Sequence, residues 1–364
     1  MIEQEPEQIK KRVLHLSEQL GFALCRVAEC RTPPHGPEFQ AWLKGGYAGE
    51  MQWMEKNRER RLDPDLVLPG AKTMLVFATN YYQGNPAGSQ QTDQPSGRIA
   101  RYAWGEDYHD IILKRLREID NFLISFGGQQ KCYVDTGPIL ERDFAAQSGV
   151  GWHGKSTMLI NRKLGAYFFL SEILTTLELP VDAPVREHCG SCTRCITACP
   201  TGAITEPYRL DARRCVSYLT IELKGAIPIE LRPLIGNRIY GCDDCLDACP
   251  WNRFAKASSE SAFAARESTA GMSLTDYLSL TPEKFRQLFK NSPIKRTKHR
   301  GFLRNVCVAL GNIGHLEDIP ALEKAVDGGD PLIAEHASWA IGQIRSRAQR
   351  DELTGTSKNS IDLK

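Results

Sequence analysis

The stretch that decides the fold runs from Cys189 to Pro250. It begins with Cys189-Gly-Ser-Cys192-Thr-Arg-Cys195-Ile-Thr-Ala-Cys199-Pro200, continues through an isolated Cys215, and ends with Cys242-Asp-Asp-Cys245-Leu-Asp-Ala-Cys249-Pro250. Cysteines separated by two residues, followed three residues later by Cys-Pro, are typical of ferredoxin domains that hold two [4Fe–4S] clusters. The stretch therefore predicts a two-cluster electron-transfer domain.

In this motif the cysteine before proline binds the cluster of the other run. The rule predicts one cluster on Cys189, Cys192, Cys195 and Cys249, and a second on Cys199, Cys215, Cys242 and Cys245. Val216–Gly241 is then an insertion of 26 residues that leaves the second cluster and returns to it. Two zinc sites are the alternative, because zinc also uses Cys-x-x-Cys pairs. Zinc does not need the Cys-Pro exchange between the runs, so clusters are favoured.

Length and composition indicate a soluble protein of two or three domains. The chain has 364 residues, of which 41% are hydrophobic and 25% charged, and its net charge is 46 − 44 = +2. That charge neither requires nor excludes a polyanionic partner. Residues 1–20 lack the apolar core of a signal peptide, and no stretch approaches the length of a membrane span. Thiolate-bound iron needs reducing surroundings, so we expect a cytoplasmic protein that does not bind a membrane.

Hydrophobic periodicity predicts an α+β fold. Apolar residues at helical spacing precede a short strand at Phe22–Val27, and Thr73–Thr79 is a continuous apolar run of strand length. We expect an α/β domain at 1–180, a ferredoxin-like domain at 181–256 and a helical domain at 272–345. A flexible tail is expected at 346–364. A long polar loop, Gln83–Gly97, is expected to be functional or disordered.

The helical domain is predicted from an internal repeat. Ala309-Leu-Gly-Asn-Ile313 recurs as Ala340-Ile-Gly-Gln-Ile344, with a helix predicted at Ile319–Val326 between the copies. Paired helices at this period resemble HEAT repeats. Two copies predict a small cap rather than a solenoid.

Asp135 is a candidate ligand-binding residue because of its predicted position at the end of a strand. It ends the predicted strand Lys131–Asp135 and precedes a turn at Thr136-Gly137-Pro138, where ligand crevices of open α/β sheets lie. The alternative is a turn-former or helix cap. Upstream, Tyr102, Trp104 and Tyr108 predict a wall for a flat ligand.

Residues 149–156 satisfy two nucleotide-binding patterns, Gly-x-Gly-x-x-Gly and Gly-x-x-x-x-Gly-Lys-Ser. Both patterns require a preceding strand and a following helix. Here a helix is predicted before the glycines, and paired strands at Thr157–Ile160 and Tyr167–Leu170 after them. We therefore interpret the segment as backbone lying against a large ligand, with an ATP-binding loop as the alternative.

These motifs together resemble the epoxyqueuosine reductase family. The resemblance rests on Asp135-Thr-Gly-Pro-Ile-Leu-Glu-Arg142, Gly151-Trp-His-Gly-Lys155, both cysteine runs, and the sequences that begin at Cys215 and Gly236. It implies a cobalamin-dependent oxidoreductase that converts epoxyqueuosine to queuosine in the anticodon loop of tRNA. The family is related to reductive dehalogenases, which join a cobalamin domain to a two-cluster domain. The cobalt-ligating Asp-x-His-x-x-Gly signature is absent, so we expect no histidine on cobalt.

The resemblance also implies roles for individual residues. Asp135 is expected to donate the proton, with its pKa raised by desolvation beneath the corrin. The residues expected to contact cobalamin are Arg58, Arg98, Tyr108, Asp135, His153, Gly154, Lys155, Ser156, Thr157, Glu222, Cys242 and Asp243. Arg58 lies in a run of charges that is otherwise typical of a solvated surface.

We expect the tRNA to be held by cationic side chains, because Lys290–Arg304 carries six cations and no acid. The residues expected to contact tRNA are Lys224, Lys295, Arg296, Lys298 and Arg300. The other partner is an electron donor that the sequence does not identify, and we expect a monomer. The alternatives are an electron-carrying ferredoxin subunit, disfavoured by the roughly 180 residues before the first cluster cysteine, and a P-loop ATPase.

Overall fold

The computed structural model describes residues 5–84 and 95–359, so most of the predicted polar loop lies outside the described residues. The helices are α1 (Pro6–Gln19), α2 (Gly36–Lys44), α3 (Gln52–Lys56), α4 (Arg58–Leu62), α5 (Tyr108–Ile124), α6 (Glu141–Gln147), α7 (Arg194–Thr197), α8 (Val216–Ile221), α9 (Arg232–Ile235), α10 (Asp244–Asp247), α11 (Leu274–Leu278), α12 (Pro282–Leu288), α13 (Lys298–Ile313), α14 (Ile319–Asp327) and α15 (Pro331–Asn359). The strands are β1 (Leu24–Glu29), β2 (Thr73–Asn80), β3 (Arg98–Ile99), β4 (Gln130–Tyr133), β5 (Trp152–His153), β6 (Leu159–Ile160), β7 (Phe168–Thr175), β8 (Ile204–Glu206), β9 (Arg209–Leu210) and β10 (Arg238–Tyr240).

The chain divides into two compact units, each assembled from separate segments. The first unit comprises residues 1–85, 107–213 and 243–264, and the second comprises 86–106, 214–242 and 265–364. The prediction instead divided the chain into consecutive domains, and those boundaries stay a prediction. Helix α15 continues through Asn359, into the predicted tail, whose flexibility stays a prediction.

The first unit is built on a four-stranded antiparallel sheet with the strand order β1-β2-β7-β4. Its central strands are buried along almost their whole length, as the apolar run at Thr73–Thr79 predicted. On one face, Met74 and Val76 of β2 pack with Phe144 of α6. The alternate side chains point to the other face, where Phe77 stacks against Phe22 with ring centroids 4.6 Å apart. The sheet therefore has an apolar layer on each face.

The strand pairing that was predicted around the turn at residues 161–165 was wrong. Strand β6 pairs with β5, with Trp152 opposite Ile160, while β7 joins the main sheet between β2 and β4. Across the turn, Asn161 and Gly165 form an isolated bridge. The strand that contains most of the apolar run at residues 167–170 extends to Thr175, so β7 pairs with β2 along its whole length.

The second unit has a helical core around α13, whose residues Phe302–Leu310 are buried. Helices α14 and α15 pack beside α13, and the short strands β3 and β10 run parallel. The two copies of the repeated motif touch each other, since a Cβ at Gly311 would lie 2.5 Å from the Trp339 ring and 2.9 Å from Ala340 Cα. The repeat thus marks a close helix crossing, and its HEAT-like character stays a prediction.

Candidate active site and cofactor-binding residues

Asp135 follows β4, at the entrance to a sharp turn. Its φ of +49° is left-handed, a conformation in which aspartate is enriched among non-glycine residues. Gly137 allows the turn to fold back, because a Cβ there would lie 2.6 Å from the Tyr133 ring. The sheet is antiparallel, so the crevice rule for parallel sheets, which first singled out Asp135, does not apply to it. The turn nevertheless leaves the Asp135 side chain 38% exposed.

Two neighbouring side chains bind the Asp135 carboxylate. The hydroxyl of Tyr108 donates a short hydrogen bond to Oδ2, and Nε2 of His109 lies 2.9 Å from Oδ1. Tyr108 is held by stacking on Phe169, with ring centroids 4.0 Å apart and an interplanar angle of 7°. Asp107 caps α5 by accepting a 3.2 Å hydrogen bond from the His109 main-chain N–H. The start of α5 therefore presents both groups to Asp135.

His109 lies between two carboxylates. Its Nδ1 is 2.7 Å from Asp107 and its Nε2 is 2.9 Å from Asp135. Burial alone would lower the pKa of His109, but the hydrogen bonds to Asp107 and Asp135 outweigh it and raise the pKa to about 9. His109 is therefore a cation near neutral pH. The sequence analysis assigned it no role, although adjacent Tyr and His residues at a helix start were a signal.

Two further carboxyl groups lie near Asp135, those of the half-buried Glu141 and the buried Glu172. Burial, and then the charge of Asp135, raises the pKa of Glu141 to about 7. Burial, and then Glu141, raises the pKa of Glu172 well above its usual value. The Glu172 oxygens make no hydrogen bond to a described residue. The nearby Arg61 is itself almost buried and donates to the Ile139 carbonyl at 3.0 Å. This combination favours a protonated carboxyl group close to Asp135.

Residues 154–157 form the turn between β5 and β6. The main-chain N–H of Gly154 donates to Met158 at 2.8 Å, and Thr157 has a left-handed φ of +66°. Arg142, on the helix that follows Asp135, donates to the Thr157 carbonyl at 3.3 Å. No helix follows the glycines, so the context that a P-loop needs is absent from this described segment.

A cavity in the first unit brings together the cysteines predicted for the first cluster. Cys189, Cys192, Cys195 and Cys249 all line it, and Cys245 lies at the same cavity. Lys155 and Ser156 from the β5–β6 turn line it as well, and Nζ of Lys155 donates to the Gly190 carbonyl. Trp251 covers part of the cavity and packs against Trp152 at 5.1 Å. Lys155 and Ser156 of the turn thus line the cavity, while Thr157 of the same turn is bound by Arg142 of the helix that follows Asp135.

The remaining predicted residues are divided between the units. Of the second cluster set, Cys199 and Cys245 belong to the first unit, while Cys215 and Cys242 belong to the second. Arg58 pairs with Glu55 at 3.1 Å and Asp243 is buried, both in the first unit. Arg98 is exposed on β3 of the second unit. The ring of Trp104 is held within the second unit by a 2.8 Å hydrogen bond to the Ile99 carbonyl.

The cationic residues of the second unit fall into two groups. Lys295, Arg296, Lys298 and Arg300 are exposed, whereas Arg304 is fully buried and donates to the carbonyls of Leu219, Leu223 and Gly225. Arg304 therefore belongs to the core and not to a phosphate-binding surface.

Two of the exposed cations pair with acids. Arg296 pairs with Glu222 at 2.6 Å, and Arg300 pairs with Asp330 at 2.7 Å. Burial, together with cations that include Arg296 and Arg304, lowers the pKa of Lys224. Lys224 therefore lies in the same cationic neighbourhood.

Comparisons with known proteins identify relatives of this chain. A family model described as "4Fe-4S double cluster binding domain" matches residues 188–252, and one described as "Epoxyqueuosine reductase QueG, DUF1730" matches residues 61–136. The epoxyqueuosine reductase of Escherichia coli (strain K12) is 42% identical, over 92% of this chain and 89% of that protein. The epoxyqueuosine reductase of Pseudomonas aeruginosa is 40% identical, over 93% of this chain and 95% of that protein.

Two solved structures have the same fold over nearly the whole chain. An epoxyqueuosine reductase crystallised with an epoxyqueuosine-modified tRNA-Tyr stem loop has a TM-score of 0.88 and 30% identity, covering 96% of this chain and 93% of that chain. The Bacillus subtilis epoxyqueuosine reductase, solved with its catalytic aspartate loop swung out of the active site, has a TM-score of 0.85 and 30% identity, covering 93% and 90% of the two chains. Among the described residues, no helix is long and apolar enough to cross a membrane.

Proposed function

The chain belongs to the epoxyqueuosine reductase family. We propose that it reduces epoxyqueuosine in the anticodon loop of a tRNA to queuosine, with Asp135 as the proton donor. Removing the epoxide oxygen to leave an alkene consumes two electrons and two protons and releases water. The relative bound to an epoxyqueuosine-modified stem loop supports the substrate.

The observation that carries the assignment of Asp135 is its pairing with His109 and Tyr108. A group that protonates a leaving oxygen must hold a proton near neutral pH and lie within hydrogen-bond reach. His109 holds that proton, and its Nε2 lies 2.9 Å from Asp135. We propose that His109 stores the proton and that Asp135 passes it on to the leaving oxygen. The Bacillus subtilis relative supports a mobile aspartate loop.

A [4Fe–4S] cluster needs four thiolates converging on one space, and five cysteines line the cavity of the first unit. We propose the ligand set Cys189, Cys192, Cys195 and Cys249 for this cluster. For the second cluster we propose Cys199, Cys215, Cys242 and Cys245, on the spacing of the motif. The double-cluster family match at residues 188–252 supports both sets.

The β5–β6 turn fits a large cofactor that needs many hydrogen bonds. It offers main-chain groups, the Ser156 hydroxyl and the Lys155 amine beside the cluster cavity, and Arg142 links its far end to the Asp135 helix. When bound, cobalamin and the clusters supply the two electrons. The residues that we propose to hold cobalamin are Arg58, Arg98, Tyr108, Asp135, His153, Gly154, Lys155, Ser156, Thr157, Glu222, Cys242 and Asp243.

We propose that the exposed cations of the second unit bind the tRNA backbone. Phosphate contacts need accessible positive charge, which Lys295, Arg296, Lys298 and Arg300 provide. Arg296 and Arg300 each pair with one acid of the second unit. Each guanidinium has further N–H donors for a phosphate. Lys224 lies in the same cationic neighbourhood and is proposed to approach the anticodon loop.

Asp135→Asn tests the proposal, because the amide keeps the shape of the side chain and cannot donate a carboxyl proton. The reconstituted enzyme, with cobalamin, a reductant and epoxyqueuosine tRNA, is assayed anaerobically for the nucleoside product by mass. We expect the rate to fall by about 10²-fold or more, with iron content and bound cobalamin unchanged.

Asp110→Asn is the matched control, since Asp110 is an exposed aspartate in the first turn of α5. Its rate is expected to equal that of the unmodified enzyme. A near-normal rate in Asp135→Asn would remove Asp135 from the chemistry. Absence of product with the unmodified enzyme would favour an electron-carrying subunit instead.

A further inference from the structure

Three potential metal ligands from distant parts of the sequence converge in the first unit. His35 precedes α2, Asp143 lies on α6 and His153 lies on β5. One ligand atom of each residue, two imidazole nitrogens and a carboxylate oxygen, lies within 4.8 Å of the others. We propose that His35, Asp143 and His153 form a binding site for a divalent transition-metal ion, with Zn²⁺ the ion that the ligand set fits best.

The distances come close to those of a tetrahedral zinc site. Nδ1 of His35 lies 2.8 Å and Nε2 of His153 lies 3.1 Å from Oδ1 of Asp143. Zinc bonds of about 2.0–2.1 Å place neighbouring tetrahedral ligands about 3.3 Å apart. Small rotations of the three side chains are therefore enough to admit the ion, and no main-chain movement is needed.

The orientation of His153 points to a ligand that lies between the three groups. Its Nε2 is buried and makes no hydrogen bond to any described residue, although Asp143 is only 3.1 Å away. A buried nitrogen that lies beside a carboxylate without a well-formed hydrogen bond is costly, and a metal ion bound between the two groups would satisfy it. The rings of His35 and His153 meet edge to face, with centroids 4.9 Å apart.

The carboxylate is already fixed in the manner of a metal ligand. The main-chain N–H of His35 donates to Oδ2 of Asp143 at 3.0 Å, so Oδ1 remains for the ion. Outer hydrogen bonds of this kind orient the ligands of metal sites. The Asp143 side chain is only 4% exposed whereas that of His35 is 56% exposed. An ion could thus enter from the His35 side and keep a water molecule as its fourth ligand.

Two imidazoles and one carboxylate select the class of ion. Imidazole suits Zn²⁺ and other first-row divalent ions, while Mg²⁺ and Ca²⁺ prefer oxygen ligands alone. A bound ion would fasten the segment before α2 and the hairpin of β5 to helix α6. That hairpin carries the turn at residues 154–157, so the ion would be structural and would stiffen the turn without taking part in the reaction. The ring of His153 would bind the ion, which leaves the His153 main chain for the proposed cobalamin contact.

The test measures zinc directly on the cluster-reconstituted full chain under anaerobic conditions. The protein is incubated with micromolar ZnCl₂ and desalted, and zinc and iron are counted together by mass spectrometry. X-ray absorption at the zinc edge then distinguishes nitrogen and oxygen ligands at about 2.0–2.1 Å from cysteine sulfur at about 2.3 Å. We expect about one zinc ion per chain with a nitrogen and oxygen shell, and a melting temperature raised by zinc.

His35→Ala is the main variant, because its exposed ring can be removed without opening the core. Retained zinc is expected to fall at least tenfold and the zinc-dependent melting shift to vanish, with iron unchanged. His15→Ala, an exposed histidine on α1, is the matched control and should keep the zinc. Asp143→Asn should weaken zinc binding, as His35→Ala does.

Three results would overturn the proposal: equal zinc in His35→Ala, a sulfur shell that places zinc on the cluster cysteines, or no retained zinc. The last would leave a hydrogen-bonded His-Asp-His group. None of these measurements depends on tRNA turnover, so the site is tested independently of the proposed reaction.

Discussion

Nε2 of His109 lies 2.9 Å from Oδ1 of Asp135, while Nδ1 of the same ring lies 2.7 Å from Asp107. The ring therefore joins the proposed proton donor to a second carboxylate at the start of α5. Since both carboxylates favour the imidazolium, His109 keeps its proton well above neutral pH.

The first prediction concerns pH. The rate of the unmodified enzyme should fall as the pH rises through about 9, because His109 then loses its proton. His109→Gln cannot store a proton, so its rate at neutral pH should be about 10²-fold lower and should lack that alkaline decline. The measurement is the single-turnover rate of nucleoside formation between about pH 6 and 10, a range that brackets the titration of histidine. The same alkaline decline in both proteins would contradict a proton reservoir on His109.

The raised pKa of His109 also makes the stability of the fold depend on pH. The pKa of His109 is about 9 in the folded protein against an ordinary value of 6.5. Its contribution to the free energy of unfolding is therefore fully present below pH 6.5 and is lost as the pH rises through 9. Denaturant unfolding of His109→Gln should lack this part of the pH dependence.

Tyr108→Phe isolates the hydroxyl on Asp135. The variant keeps the ring that stacks on Phe169 and removes the hydrogen bond to Oδ2. Losing a hydrogen bond to a charged group costs about 1.5–3 kcal/mol, so we expect a rate about 10- to 100-fold lower with unchanged clusters. Tyr47→Phe is the control, because the Tyr47 hydroxyl accepts a hydrogen bond from Arg209, which is not a residue of the proposed active site. Equal rates for the two variants would show that the Tyr108 hydroxyl does not position Asp135.

Iron content tests the ligand sets of the two clusters. Cys195 and Cys249 line one cavity, so Cys195→Ala combined with Cys249→Ala should lose no more iron than either change alone. Cys195→Ala combined with Cys199→Ala should lose both clusters, although only four residues separate the two cysteines. Cys30→Ala, outside the motif, should lose none. If the first pair removed both clusters, Cys249 would be assigned to the second cluster and Cys245, at the same cavity, to the first.

Salt dependence tests the tRNA surface. Changing Lys295, Arg296 and Lys298 together to alanine removes three exposed cations, and each lost phosphate contact lowers the salt slope of binding by roughly 0.7–0.9. We expect weaker tRNA binding and a slope shallower by about 2, with clusters and cobalamin unchanged. Alanine at Lys11, Lys44 and Lys163, three exposed lysines of the first unit, is the charge-matched control. An unchanged slope in the first triple variant would direct the search to Arg58–Arg61.

Arg304→Met should destabilise the second unit. The change removes the donors to three main-chain carbonyls in a fully buried position, at a cost of about 3 kcal/mol. Arg300→Met is the control, because the Arg300–Asp330 pair is half exposed and worth about 1 kcal/mol or less. Denaturant unfolding compares the two variants. Equal stabilities would mean that the carbonyls find other donors when Arg304 is removed.

The sequence alone determined the features that depend on short-range order. The cysteine spacing predicted the double-cluster domain, the apolar run at Thr73–Thr79 predicted the central strand β2, and the Gly-Pro turn drew attention to Asp135. Each of these patterns is imposed by geometry within a few residues: a loop around a cluster, a pleated strand, or a reversal of the chain.

Only the tertiary structure decided which distant residues meet. It joined His109 to Asp135, brought His35 beside Asp143 and His153, and placed Arg304 in the core although its neighbours Lys298 and Arg300 are exposed. It also moved residues 168–175 from the predicted hairpin into the main sheet. These contacts depend on how the buried faces of separate segments pack, and local periodicity carries no information about the partner of each face.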